Sequence, residues 1–417
     1  MDAPAILRRL FDAAVAACHP SRVVPAALPA RPPGRIVVVG AGKASAAMAA
    51  AVEATWGPPL SGLVVTRYGH GAATKFIDVV EAGHPLPDGA GAGAARRALK
   101  LVSGLAPDDF VVTLLSGGGS ALWSAPLPPL TLGEKQSLTR ALVLSGAAIQ
   151  EINCVRKHLS AIKGGRLAAA AYPARVLALA ISDVAGDDPS VIASGPCTGD
   201  PTTQSDARAV LAKYAINAPA NAMLVLTNPA FESVKPDDAR LSASENRIAA
   251  RAADALAAAA DEAHRMGLDT KLIGVNVEGD ARDVAQAHAE IARHAPRGGR
   301  PLVLLSGGEL TLKVKGRGRG GPNREYLLAL ARALEGADDI WAFAADTDGI
   351  DGNDEAAGAW LAPDALARAR QLGLDPRKCA DDNDTGGLFA ALGQAVVTGA
   401  TRTNVNDFRA ILIGGGV

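Results

Sequence analysis

Short apolar, β-branched runs alternate along this chain with longer segments whose apolar positions recur at helical spacing. Arg35–Val39, Leu63–Thr66, Lys271–Val275, Leu302–Leu305 and Ile340–Ala345 read as strands, as do the runs opening at Val111 and Val176. Between them Pro4–Cys18, Lys43–Thr55, Asp88–Leu105, Lys163–Ala171, Gln204–Tyr214, Ser244–Met266, Asp280–Arg293 and Asn323–Leu334 read as helices. A further helix starts at Thr131, where Glu134 stands at the offset of a capping box. The run VLALAIS (Val176–Ser182) is apolar throughout, as in a strand buried on both faces of a parallel sheet. Strands alternating with helices of roughly 10–15 residues imply βαβ units. The expected fold is therefore α/β, with two Rossmann-like domains, each a largely parallel sheet flanked by helices. The most polar stretch lies near residues 235–244, which divides the chain into 1–237 and 238–417.

Composition narrows the setting. A chain of 417 residues is too long for one core, and 48% hydrophobic residues suit a well-buried protein. A net charge of −1 gives no electrostatic case for nucleic acid or an anionic membrane surface. Aromatic residues are 4%, too few for the stacking platforms of single-strand binders. Cys18, Cys154, Cys197 and Cys379 form no C-x-x-C pair, so neither a zinc site nor a disulfide framework is indicated. Charged residues interrupt the N-terminal segment, which lacks the pattern of a signal peptide, and no run reaches the ~20 apolar residues of a membrane span. A cytoplasmic protein with a small-molecule substrate is expected, and a homodimer is left open.

The chemistry concentrates where strands end. After Val176–Ser182 come Asp183, Asp187 and Asp188, and after Ile340–Ala345 come Asp346, Asp348, Asp351 and Asp354. Ligands of open α/β sheets bind beyond the carboxyl ends of strands, and such carboxylates suit Mg²⁺ with its phosphates, although Asp and Gly also make ordinary turns. Upstream of each acidic loop a strand delivers Ser-Gly-Gly into a turn: Ser116, Gly117, Gly118, Gly119 and Ser120 in the first half, and Ser306, Gly307, Gly308 and Glu309 in the second. Successive glycines there can form a backbone nest for phosphate oxygens. IVVVGAGKAS (Ile36–Ser45) brings Gly40, Gly42 and Lys43 to the start of a helix, but Ser45 replaces the third glycine of a dinucleotide fingerprint. Lys43 at a helix N-terminus is poorly placed for stability and well placed for an anion. NCVRKHLSAIKGGRLA adds Arg156, Lys157, His158, Lys163 and Arg166, either a solvated face or cations turned toward phosphates. His158 reads equally as scaffold or catalyst.

In this order, VGAGKA, LLSGGGSAL, N-x-VRKHLS-x-IKGG, ISDV-x-GDDPS-x-IASGP, LLSGGE, FAADTDGIDG and TNVND resemble the class II glycerate 2-kinases over nearly the whole chain. The resemblance implies an N-terminal glycerate-kinase domain, a C-terminal MOFRL domain and an active site in the cleft between them. It implies ATP- and Mg²⁺-dependent phosphorylation of D-glycerate to 2-phosphoglycerate. The alternative is NAD(P)H-dependent hydroxypyruvate reduction, a label that some relatives carry. By position, Lys43 matches the family's active-site lysine, with Asp183 as base or metal ligand and Asp187 and Asp346 as further metal ligands. Gly40, Gly42, both Ser-Gly-Gly segments, Arg156, Lys163, Asn323, Glu325 and Asn404 are the implied binding residues. Three departures stand out. GGPNRE has Pro322 where many members carry an active-site arginine, leaving Arg324 or Arg319 to supply a guanidinium. TGATRTNVND has Ala400 and Arg402 for Pro and Gly, and DNDTGG replaces an Asn-Asp-Ser-aromatic segment.

Overall fold

The alternating strands and helices build two units in the computed structural model, which describes residues 2–335 and 337–414. One unit is Pro20–Ala249, and the other joins Met1–His19 to Ala250–Val417. Both ends differ from the 1–237 and 238–417 division.

In the Pro20–Ala249 unit, six strands are ordered β3-β2-β1-β4-β5-β6. They are β1 (Ile36–Ala41), β2 (Ser61–Arg67), β3 (Ile77–Ala82), β4 (Phe110–Leu115), β5 (Arg175–Ile181) and β6 (Ser244–Ala250). The pairs β1–β2, β1–β4, β2–β3 and β4–β5 are parallel. Every residue of β1 and β4 is buried, as apolar runs such as IVVV and FVVTLL require of central parallel strands. Strand β6 lies within the segment read as one long helix, Ser244–Met266. The alanines of the helix Ala252–Arg265 continue smoothly from Ile248–Ala250, and the polar start SENR hides a half-exposed edge strand.

The second unit carries β7 (Asp269–Gly274), the short pair β8 (Gly279–Asp280) and β10 (Leu310–Thr311), β9 (Leu302–Gly308), β11 (Ile340–Asp346), β12 (Gly358–Leu361), β13 (Ala395–Val396) and β14 (Asp407–Ile413). Its main sheet, β13-β12-β11-β14-β9-β7, is mixed rather than largely parallel. β14 inserts antiparallel between β9 and β11, and only β7–β9 is a parallel pair. That insertion brings Gly308, Asp346 and Asp407 to one edge, paired as Gly308↔Asp407 and Asp346↔Asp407.

The helix Ala3–Ala17 belongs to this second unit. Its apolar stripe of Ile6, Leu7, Leu10, Phe11 and Ala14 is buried, and Phe11 packs 5.2 Å from Phe343 and 5.8 Å from Phe408. Burying one such ring contributes roughly 1.5–3 kcal/mol. Among the described residues no helix is long and apolar enough to cross a membrane.

Candidate active site

Three loops leave neighbouring strand ends of the first sheet. Ala41 is in register with Leu115, and Leu115 with Ala180. Lys43, Ser116–Ser120 and Asp183 therefore follow adjacent carboxyl ends, where the order reverses between β1 and β4. Such switch points open a ligand crevice.

The Gly40–Ser45 turn is not a phosphate nest. The N–H of Gly42 donates to Val65 O (3.0 Å), Lys43 to Gly117 O (2.8 Å), Ala44 to Ser116 Oγ (2.9 Å) and Ser45 to Gly42 O (3.1 Å). Gly42 has φ +145°, and a Cβ there would collide with Ser116. Gly40 and Gly42, expected at the ligand, instead let this turn and β1 press against β4 and the loop after it. The Ser116–Ser120 turn differs. Gly118 has φ +81°, and a Cβ would meet the His84 ring at 2.9 Å. Among the described residues no protein group accepts from the N–H of Gly117 or Gly118.

The acidic loop after β5 is strained and tied to that turn. Asp187, Ala193 and Ser194 have φ of +54°, +51° and +62°, sparsely populated for residues with a side chain. Ser194 Oγ lies 2.8 Å from Ser120 Oγ. Asp346, the third expected metal ligand, belongs to the other unit. Among the described residues no three His, Cys, Asp or Glu side chains form a metal cage. Mg²⁺ carried on phosphates needs only one or two protein carboxylates. Asp183 and its loop fit that case better than a resident ion.

The basic stretch divides into two groups. Lys157 pairs with Asp200 (3.5 Å), and His158 lies between the Cys154 carbonyl (2.8 Å) and the Glu232 carboxylate (2.9 Å). The Arg166 guanidinium donates to the carbonyls of Lys157 and Phe231. These three are scaffold. Arg156 and Lys163 instead line a cavity of about 430 Å³ with His84, Gly118, Ser120 and Lys135. Burial, then repulsion from Arg156 and Arg166, pushes the Lys135 ammonium down to about 7. Burial also holds Lys163 well below the usual lysine range, with Lys135 and Arg156 adding to the effect.

In the second unit several of the expected site residues are bonded to one another, while Asn323 Oδ1 and Glu325 Oε2 are buried without a hydrogen-bond partner among the described residues. Ser306–Gly308 completes β9 rather than entering a turn, and Arg409 reaches Ser306 Oγ (3.3 Å), the Gly307 carbonyl and Asp407 (3.0 Å). The Asn323 amide donates to Asp407 at 2.6 Å. Arg324, expected as a catalytic guanidinium, is fully buried, and both ends of its fork are occupied by Asp351 (3.0 Å) and Asp354 (2.6 Å). Its place is structural, and Arg319 keeps the exposed side chain of that segment. Glu325 pairs with Arg282 at 2.6 Å. Asp346 accepts from the Asp348 N–H (2.9 Å), Asn404 is buried, and Glu309 is exposed.

The pattern of a domain of unknown function, DUF4147, matches residues 6–227, and that of the MOFRL family matches 302–407. The D-glycerate 2-kinase of Thermotoga maritima is 38% identical over 94% of this chain and 94% of its own length. The crystal structure of glycerate kinase from Thermotoga maritima superimposes with a TM-score of 0.89 at 37% identity, covering 98% of this chain and 99% of that one. The chain belongs to the class II glycerate kinase family. An Agrobacterium vitis relative, provisionally named a hydroxypyruvate reductase, is 52% identical over 99% of this chain and 95% of its own. Arg402, at the position where the resemblance implied glycine, holds φ +65°, a left-handed conformation that glycine occupies without strain. Pro322 opens the helix Pro322–Ala333, where its missing N–H costs nothing.

Lys135 and His84 were not singled out from the sequence. For Lys135 a signal exists. It shares the buried stripe of the helix Leu132–Leu144 with Leu138 and Leu142, and a lysine on such a stripe is a position to explain.

Proposed function

We propose that this protein is an ATP-dependent glycerate 2-kinase that phosphorylates D-glycerate to 2-phosphoglycerate. The observation that carries the reading is the convergence of Lys43, the Ser116–Ser120 turn and the Asp183 loop on adjacent strand ends at the switch point of one sheet. Phosphoryl transfer requires alignment and charge neutralisation more than covalent chemistry. Lys43 offsets charge on the substrate carboxylate or the transferring phosphoryl, and the open N–H groups of Gly117 and Gly118 receive phosphate oxygens. Asp183 takes the proton of the attacking hydroxyl or holds Mg²⁺. When bound, that ion neutralises the charge that develops on the phosphate oxygens. The glycerate kinase names of the Thermotoga maritima relatives support the same reaction class.

The reductase reading draws on the Agrobacterium vitis name. It requires a dinucleotide site at the first glycine turn. There Ser45 is buried in the third glycine's place, and four successive N–H donors are already bonded within the protein. Phosphorus NMR of ATP, Mg²⁺ and D-glycerate incubated with the protein should show a 2-phosphoglycerate resonance growing with ADP. Oxidation of NADPH by hydroxypyruvate, without phosphoryl transfer, would reverse the choice.

A further inference from the structure

The Lys135 ammonium is a buried charge without a partner. The residue is 5% exposed, and Nζ makes no hydrogen bond among the described residues. Lys163, 1% exposed, reaches only the Ala193 carbonyl among the described residues, at 3.2 Å. Among the described residues no carboxylate pairs with Lys135, Arg156 or Lys163, because Asp200 and Glu232 are engaged by Lys157, His158 and Lys235. Burying like charges together without counter-charge is strongly unfavourable unless a ligand completes the set.

Three cations match a polyphosphate better than the single carboxylate of glycerate. A second, independent feature bears on the rest of the ligand. Leu86, Val143 and Leu144 are 61%, 55% and 80% exposed, and with Pro85 they line the same cavity. Apolar side chains left open around a polar floor suit a flat heteroaromatic group, and about 430 Å³ lies within the range of small-molecule sites. The glycine turn after β1, the obvious alternative for phosphates, has its donors taken.

Building on the kinase reading, we propose that this cavity is the nucleotide subsite: Lys135, Arg156 and Lys163 hold the polyphosphate, and the wall of Pro85, Leu86, Val143 and Leu144 receives the base. Gly118 and Ser120 line the same cavity, so the glycine turn meets the phosphates at this end.

Titration calorimetry on the full chain tests this with ADP, tripolyphosphate and D-glycerate as separate probes. Lys135→Met should weaken ADP and tripolyphosphate by about tenfold or more and raise the KM for ATP, while leaving the affinity for D-glycerate nearly unchanged. Leu144→Asp, on the exposed wall, should weaken ADP but not tripolyphosphate. Lys135→Arg, which keeps the charge, should recover part of the loss. If Lys135→Met does not fold, Arg156→Gln reads the same phosphate contact from a half-buried position. Unchanged ADP binding in these variants, or loss of D-glycerate binding with ADP retained, would overturn the proposal. The two readings fail separately. Lys135-dependent ADP binding without phosphoryl transfer would sink the kinase and leave the subsite, whereas transfer with ADP binding and ATP KM insensitive to Lys135 would do the reverse.

Discussion

The two units each contain a strand, a Ser-Gly-Gly segment, a further strand and an acidic loop, yet they treat buried charge in opposite ways. In the Met1–His19 and Ala250–Val417 unit, the buried Arg324 and Arg409 are matched by Asp351, Asp354 and Asp407. In the Pro20–Ala249 unit, Lys135, Arg156 and Lys163 surround a cavity with no carboxylate among the described residues in reach. A repeated motif therefore does not mean a repeated site. One copy matches its buried guanidinium charges with carboxylates, and the other has the charge imbalance of a binding site.

Breaking the charge-matched copy should have the largest effect. Arg324→Met leaves Asp351 buried without its counter-charge and should cost about 3–5 kcal/mol of stability, read by denaturant unfolding. An unchanged midpoint combined with lost turnover would instead make Arg324 catalytic. In the open copy, Lys43→Ala should lower kcat by about 10²–10³ while circular dichroism and the unfolding midpoint stay near wild type. Near wild-type turnover in the purified variant would remove Lys43 from the chemistry.

The contrast also explains what the sequence could and could not convey. Apolar runs such as IVVVGA and FVVTLL fit central strands, so β2, β1, β4 and β5 and the loops at their ends were legible, whereas the more polar edge strands β3 and β6 were not. Strand β14, DFRAILI, makes the second sheet mixed; Asp407 and Arg409 interrupt its apolar run, and its partners β9 and β11 lie far away in sequence, so local pattern does not encode their direction. The helix Ala3–Ala17 was legible as a helix, whereas its home was not. An amphipathic stripe states that something covers it, and only the fold supplies Phe343 and Phe408. The same limit applied to charge. Arg324 reads identically whether its guanidinium meets a phosphate or Asp351, and the cations around His158 sort into scaffold and cavity only through residues such as Asp200 and Glu232.

A smaller effect lies in pH. The folded-state pKa of Lys135, about 7, is below its ordinary value of 10.5. Between these values the unfolded chain holds the proton and the folded chain does not, so this group makes ligand-free stability rise with pH from about 7 toward 10.5. Lys163, Arg156 and Arg166 add to the field at Lys135, and His84 and Arg140 line the cavity. The readout is therefore the difference between wild type and Lys135→Met, whose stability should climb less over that window. Parallel slopes would mean that the ammonium is not buried against its neighbours.

Thermal unfolding of Lys135→Met near pH 6, with and without ADP, tests the central contrast most directly. At that pH the lysine is charged in both states and its burial penalty is fully present. Methionine should therefore leave the ligand-free protein as stable as wild type or more so, while the upward shift produced by ADP shrinks. A ligand-free midpoint several degrees below wild type, with the ADP shift intact, would show that Lys135 is scaffold like Arg324 and that the cavity is not built for a phosphate chain.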